Sequence, residues 1–168
     1  MLNQISLFAE NKKGALRCIT SVLAQAHINI YTMLANDSAE FGIIRLIVTD
    51  PDKALKALQD AGYQCRLDKV LAIDMSDAPG TLDGILSNLQ EANVSIDYLY
   101  ISYNRQTSTP VAVFKTSEPE TETFLRGKGY IDMEYLFYVY PDKYYPLDYD
   151  TYFKSKERFV MVTSNCLT

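Results

Sequence analysis

The sequence predicts an α+β protein built from two copies of one β-α-β-β-α-β unit, each an antiparallel sheet with its helices on one face. Three observations predict it. A set of matched positions recurs along the chain. Apolar residues switch between a period of two and helical spacing, in the same order in both copies. Turn-forming residues, glycine above all, punctuate those switches.

The repeat is visible when Gly14 is laid over Gly80. Leu16 then meets Leu82, Ile19 meets Ile85, Leu23 meets Leu89, Ala26 meets Ala92 and Ile30 meets Ile96. Further on, Leu58 to Tyr63 answers Leu125 to Tyr130, with one more residue between the anchors in the second copy. Two copies are too few for a solenoid, so each is a small domain or half of a joint one. The expected division is 1–68 for the first domain, 69–140 for the second, and a Tyr-rich extension over 141–168.

Within the first copy, Ile5, Leu7 and Ala9 alternate with polar residues as in a half-buried strand. A turn follows at Asn11 to Gly14. Leu16, Ile19, Leu23 and Ala26 then give one apolar helical stripe. Ile28 to Ala35 reads as a strand, Asn36-Asp37-Ser38 as a turn, and Phe41 to Val48 as a buried β-branched strand. Asp50-Pro51-Asp52 marks a helix start, because proline suits the first turn and carboxylates suit the positive end of the dipole. Ala54, Leu55, Leu58 and Ala61 form that helix's stripe, Gly62 ends it, and Tyr63 to Leu67 closes the unit. The second copy repeats this order from Val70 to about Tyr140, with its second helix expected over Glu118 to Gly127. The β-α-β-β-α-β order is ferredoxin-like.

Totals narrow the function classes. The chain has 168 residues and a net charge of −5. That balance disfavours a nucleic-acid partner, which calls for a basic surface. No run of about 18 apolar residues is present, so no membrane span is expected. The N-terminal residues lack a signal-peptide pattern. Cys18, Cys65 and Cys166 are widely spaced and odd in number, which suits reduced thiols in a cytoplasmic protein and gives no zinc pattern. His27 stands alone at a predicted helix end, where the dipole favours a cation. No nucleophile–base pair, phosphate loop or metal motif is legible, so neither an enzyme nor a cofactor is expected.

The ordered set of residues resembles the ACT family. Asp77-Ala78-Pro79-Gly80-Thr81-Leu82 is similar to that family's strand-to-helix turn and Asn29-Ile30 to its second strand entry, and the segments Phe41-Gly42-Ile43-Ile44-Arg45-Leu46 and Tyr98-Leu99-Tyr100 belong to the same resemblance. Lys13 stands in the first copy where the proline is expected, and Ser95 in the second where the asparagine is expected. The resemblance covers about Asn3 to Tyr140 and is greatest to stand-alone tandem ACT proteins of bacteria. It implies a regulatory role, sensing a free amino acid at interfaces between ACT units, and a homodimer formed by ACT–ACT packing. It also leaves room for an enzyme partner: the regulatory subunit of an amino-acid biosynthetic enzyme, such as acetolactate synthase, is the alternative. An RNA-binding module shares the strand order, but the charge and the scarcity of sheet-face aromatics in the first copy oppose it.

The candidate ligand-binding residues follow from the chemistry of an amino acid. A helix N-terminus offers unpaired N–H groups to a carboxylate, so Asn11, Lys13, Gly14, Ala15 and Leu16 are candidates in the first copy. Asp77, Pro79, Gly80, Thr81 and Leu82 are their counterparts in the second. Asn29 with Ile30, and Ser95 with Ile96, open the next strands; an asparagine there both donates and accepts. Each has a plainer reading. The glycines serve tight turns, Asn29 bonds its own backbone, Asp77 caps a helix, and Lys12 with Lys13 is a solvated turn. The tyrosines and Phe153 of the extension are costly to leave in water, so that segment is expected to dock on the second domain, or else on a partner or over a site.

Overall fold

A computed structural model describes residues 1–36, 41–105 and 107–130. The expected last strand of the second copy, the Tyr-rich extension and most of the turn after Asn36 lie outside those residues. The described elements are β1 (Leu2–Glu10), α1 (Ala15–Gln25), β2 (Ile30–Asn36), β3 (Phe41–Val48), α2 (Pro51–Asp60), β4 (Cys65–Asp74), α3 (Thr81–Glu91), β5 (Ile96–Tyr103), β6 (Pro110–Thr116) and α4 (Thr121–Gly127). The α+β class is as the sequence predicts, and so is the order of elements as far as α4 of the second copy.

Boundaries differ where the helices end. All four helices are followed by a residue in the left-handed region: His27 (φ 55), Gly62 (φ 87), Asn93 (φ 55) and Gly129 (φ 89). The next residue in each case sends its N–H back into the last turn: Ile28 to Leu23, Tyr63 to Leu58, Val94 to Leu89 and Tyr130 to Leu125, at 2.9–3.0 Å. These are Schellman closures. Ile28 and Tyr63 are therefore cap residues, and β2 and β4 begin two residues later than the apolar pattern suggests. His27 owes its place to this turn as much as to the dipole.

Helix starts differ among themselves. Asp50 caps α2, accepting the Lys53 N–H at 3.0 Å with Pro51 in the first turn, as the sequence indicates. On α1, Ile19 and Leu23 are fully buried, but Leu16 is 44% exposed, a correction to the expected stripe. It belongs to the helix's first turn, outside the cluster formed by Ile5, Leu7, Ile19, Leu23, Ile44, Leu46 and Leu58. The start of α4 is Thr121, not Glu118. The Thr116 hydroxyl donates to the Glu118 carboxylate and accepts the Glu118 N–H, which holds Glu118 in a turn.

The strands form one antiparallel array in the order β2-β3-β1-β4-β6-β5. Strand β4 serves both copies. Cys65 to Val70 pairs with β1, and Leu71 to Asp74 pairs with β6. The expected domain boundary at 68/69 falls inside this one strand. Helices α1 and α2 cover the first sheet through the cluster just named, and α3 and α4 cover the second through Leu71, Ile73, Ile85, Leu89, Phe114 and Leu125. The faces without helices meet each other. Leu2 and Ile47 of the first sheet pack with Val70, Ala72, Tyr100, Val111 and Val113. Strands β2 and β5, at opposite ends of the strand order, touch through Thr32 and Ser102, whose hydroxyls are 2.5 Å apart. The array is folded about β4 like a book about its spine.

Candidate ligand-binding turns and the seam between the sheets

Both strand-to-helix turns are entered through a left-handed glycine. Gly14 has φ 86 and Gly80 has φ 89, and each is the N-cap of its helix. As glycines, these N-cap residues have no side chain to accept from the first turn. The Ala15 N–H is taken by the Lys12 carbonyl at 3.2 Å and the Thr81 N–H by the Ala78 carbonyl at 3.3 Å. Residues 76–80 and 11–14 are exposed. A capped helix such as α2 satisfies its first N–H groups internally; these two helices present theirs outward. Asp77 therefore does not cap α3. Its neighbours Ser76 and Thr81 join hydroxyls at 3.0 Å across the turn instead. Nearby, the exposed Lys12 pairs with Glu10 at 2.7 Å, which raises the Lys12 pKa above its usual value, chiefly through that hydrogen bond.

The candidates of one copy do not come together. Asn29 and Ile30 open β2 beyond the C-terminus of α1, whereas Gly14 lies at its N-terminus. An 11-residue helix separates them, a length of about 16 Å. Asn29 pairs with Thr49, donating its N–H to the hydroxyl at 3.2 Å and accepting the Thr49 N–H at 3.0 Å. Ser95 and Ile96 are likewise set apart from Gly80 by α3.

The fold brings together halves from different copies. Arg105, just past β5, donates to the Ile30 carbonyl at 2.8 Å and the Tyr31 carbonyl at 3.3 Å, and its guanidinium lies 5.4 Å from the Tyr31 ring. The same end of the second sheet carries the Gly80 turn: Met75 donates its N–H to the Pro110 carbonyl, and the Thr109 hydroxyl donates to Asp74 at 2.6 Å. The strand entry at Asn29 thus lies toward the Gly80 turn of the other copy.

The seam itself holds polar groups to which the sequence assigns no role. Gln4 is fully buried. Its amide donates to the Tyr98 hydroxyl at 2.7 Å and to Ser6 at 3.3 Å, and its carbonyl accepts from Tyr100 at 2.8 Å. Burial pushes the Tyr100 pKa far up, so its hydroxyl stays a donor. Asp68, also buried, accepts from Lys115 at 2.8 Å and pairs with Arg66 at 3.3 Å. Burial raises its pKa, but hydrogen bonds from Lys115 and Ser6 and the two cations outweigh that and hold it below the usual range. The signal available beforehand was parity: Gln4, Ser6, Arg45 and Asp68 are polar on strands whose other face is apolar, a pattern equally consistent with a solvated face.

Among the described residues, no group of three or more His, Cys, Asp and Glu side chains is placed to hold a metal, and no helix is long and apolar enough to cross a membrane.

Two strand-linked ferredoxin-like units with glycine-entered helix N-termini define a tandem ligand-binding type of fold. The family model for an ACT domain pair matches residues 1–139, and the chain belongs to that family. A solved structure of a protein from Bacteroides thetaiotaomicron is similar, with 34% identity, 81% of this chain and 95% of that chain covered, and a TM-score of 0.74. The ligand-free regulatory subunit of aspartate kinase from Thermus thermophilus shares the fold at 15% identity, covering 76% of this chain and 90% of that one, with a TM-score of 0.56. No curated protein matches the sequence.

Proposed function

We propose that the protein is a regulatory sensor of a free amino acid, bound where the strand-to-helix turn of one ACT unit approaches the strand entry of another. The observation that carries this is the pair of exposed turns in which a left-handed glycine, Gly14 or Gly80, is the N-cap of a helix, at equivalent places in both copies. Their outward N–H groups suit an α-carboxylate. Across the seam, the partially exposed Asn29 side chain makes no hydrogen bond among the described residues and suits the ligand's other polar group. The mechanism is linkage. A ligand that binds only one assembled form stabilises that form, by about 2.7 kcal/mol at a hundredfold excess over Kd.

The outer strands β2 and β5 each pair with a single neighbouring strand among the described residues, which supports association with a second copy. The aspartate kinase regulatory subunit in the same fold supports an enzyme partner as the second reading. A melting screen with the twenty amino acids tests the sensor. One of them is expected to raise Tm, and its amide to bind about tenfold more weakly, because a charge-assisted hydrogen bond is lost. If no amino acid shifts the melt at millimolar concentration, the sensor reading fails and a stoichiometric enzyme in a pulldown becomes the expectation.

A further inference from the structure

Arg45 is a buried seam cation whose one charge-dependent contact among the described residues is with an aromatic ring. It is only 8% exposed, and its Nε and Nη1 are buried with no hydrogen-bond partner among the described residues. Its guanidinium lies 3.9 Å from the centre of the Tyr98 ring, which offers a π face but no lone pair. The acid in this part of the seam, Asp68, is already shared by Lys115 and Arg66. Buried cations are costly unless paired.

The second copy shows what the fold itself asks for at this position. Ser6 faces Arg45 across β1 and β3, and the same pairing in the second unit sets Ala72 opposite Val113. An apolar pair fills that place without loss, so the charge at Arg45 serves something other than packing.

The surroundings indicate what it serves. On the same face of the first sheet, the next pairs along β1 and β3 are Phe8 with Ile43, then Glu10 with Phe41. Phe8 is 53% and Phe41 56% exposed, forming an apolar shelf that leads to the Arg45 end of the seam. Asp68, the buried carboxylate of the seam, is held by Lys115 and Arg66, and no ion pair joins it to Arg45.

We infer that Arg45 anchors a binding site for a small organic carboxylate with an apolar or aromatic body, its carboxylate on the guanidinium and its body on the Phe8–Ile43–Phe41 shelf. The Arg45 guanidinium has no carboxylate of its own beside it and repels an ammonium group, so the ligand is a carboxylic acid without an α-amino group. The site is separate from the glycine turns and does not depend on amino-acid binding there.

Phenylacetate is the probe, with phenylacetamide as its uncharged isostere and phenylalanine as its zwitterionic relative. Titration followed by melting and by amide NMR is expected to show phenylacetate binding at least about tenfold more tightly than either, with shifts at Phe8 and Ile43. Arg45→Met is expected to melt at or above the native temperature without ligand, and to lose the response to phenylacetate. Phe8→Ser, at an exposed position, is expected to fold normally and to bind phenylacetate more weakly. Equal binding of acid and amide overturns the inference, as does a phenylacetate response that survives in Arg45→Met. No phenylacetate response in the native protein at millimolar concentration overturns it too. Should Arg45→Met fail to fold, Phe8→Ser decides the matter: unchanged phenylacetate binding in that variant overturns the inference, and weakened binding upholds it.

Discussion

Single residues carry much of the local logic, and not always the residues the pattern favours. His27 and Asn93 occupy left-handed positions that Gly62 and Gly129 fill in the other helices. A non-glycine residue there is strained. Replacing His27 by Gly is expected to raise stability by about 0.5–1 kcal/mol, measured by urea denaturation; no gain would mean that the His27 side chain contributes more than its strain costs. Gly80→Val has the opposite sign, because a β-branched residue resists φ 89; Tm is expected to fall, and an unchanged Tm would contradict the turn. Asp68 adds a pH dependence. Its folded pKa lies below the unfolded value, so its ionised form contributes stability that is present above about pH 4 and is lost as pH falls through the folded value. Asp68→Asn is therefore expected to melt below the native protein at pH 7 and to converge with it in acid. A constant gap at every pH would assign the loss to something other than charge.

Elements show which signals are local. The start of α2 was legible because Asp50, Pro51 and Asp52 determine it within one turn, and Asp50→Ala is expected to cost about 1 kcal/mol. A urea midpoint that does not move would remove Asp50 from the cap. The glycines at 14 and 80 were equally legible as turns, since both the repeat and the backbone demand them. Strand β4 was not legible as one element. Its first residues complete a unit and its last begin another, and the apolar pattern reads the same with or without a break. Which candidate residues face each other was not legible for a related reason. Asn29 and Gly14 are close in sequence, but the helix between them is a rigid spacer that puts them at opposite ends. Arg45 carried no assigned role because burial of its face comes from the other sheet, a contact no local pattern records.

At the scale of the molecule, the two units share a strand and a packed face, so neither has a complete surface of its own. Leu2, Ile47, Val70, Tyr100, Val111 and Val113 are buried only when both sheets are in place. Unfolding is accordingly expected to be a single transition, with calorimetric and van't Hoff enthalpies equal; two resolved transitions would show the units to be independent. The shared strand has one more consequence, which concerns insertions and deletions. Along β4, Cys65 and Leu67 point to one helix layer, Leu71 and Ile73 to the other, and Val70 and Ala72 to the seam. All three assignments rest on odd and even counting from a single origin. One residue inserted after Lys69 would exchange the seam and helix sides of everything that follows, whereas two would restore them. Protease resistance is therefore expected to collapse with the single insertion and to recover in part with the double one, so the chain length between the two units can vary only in steps of two.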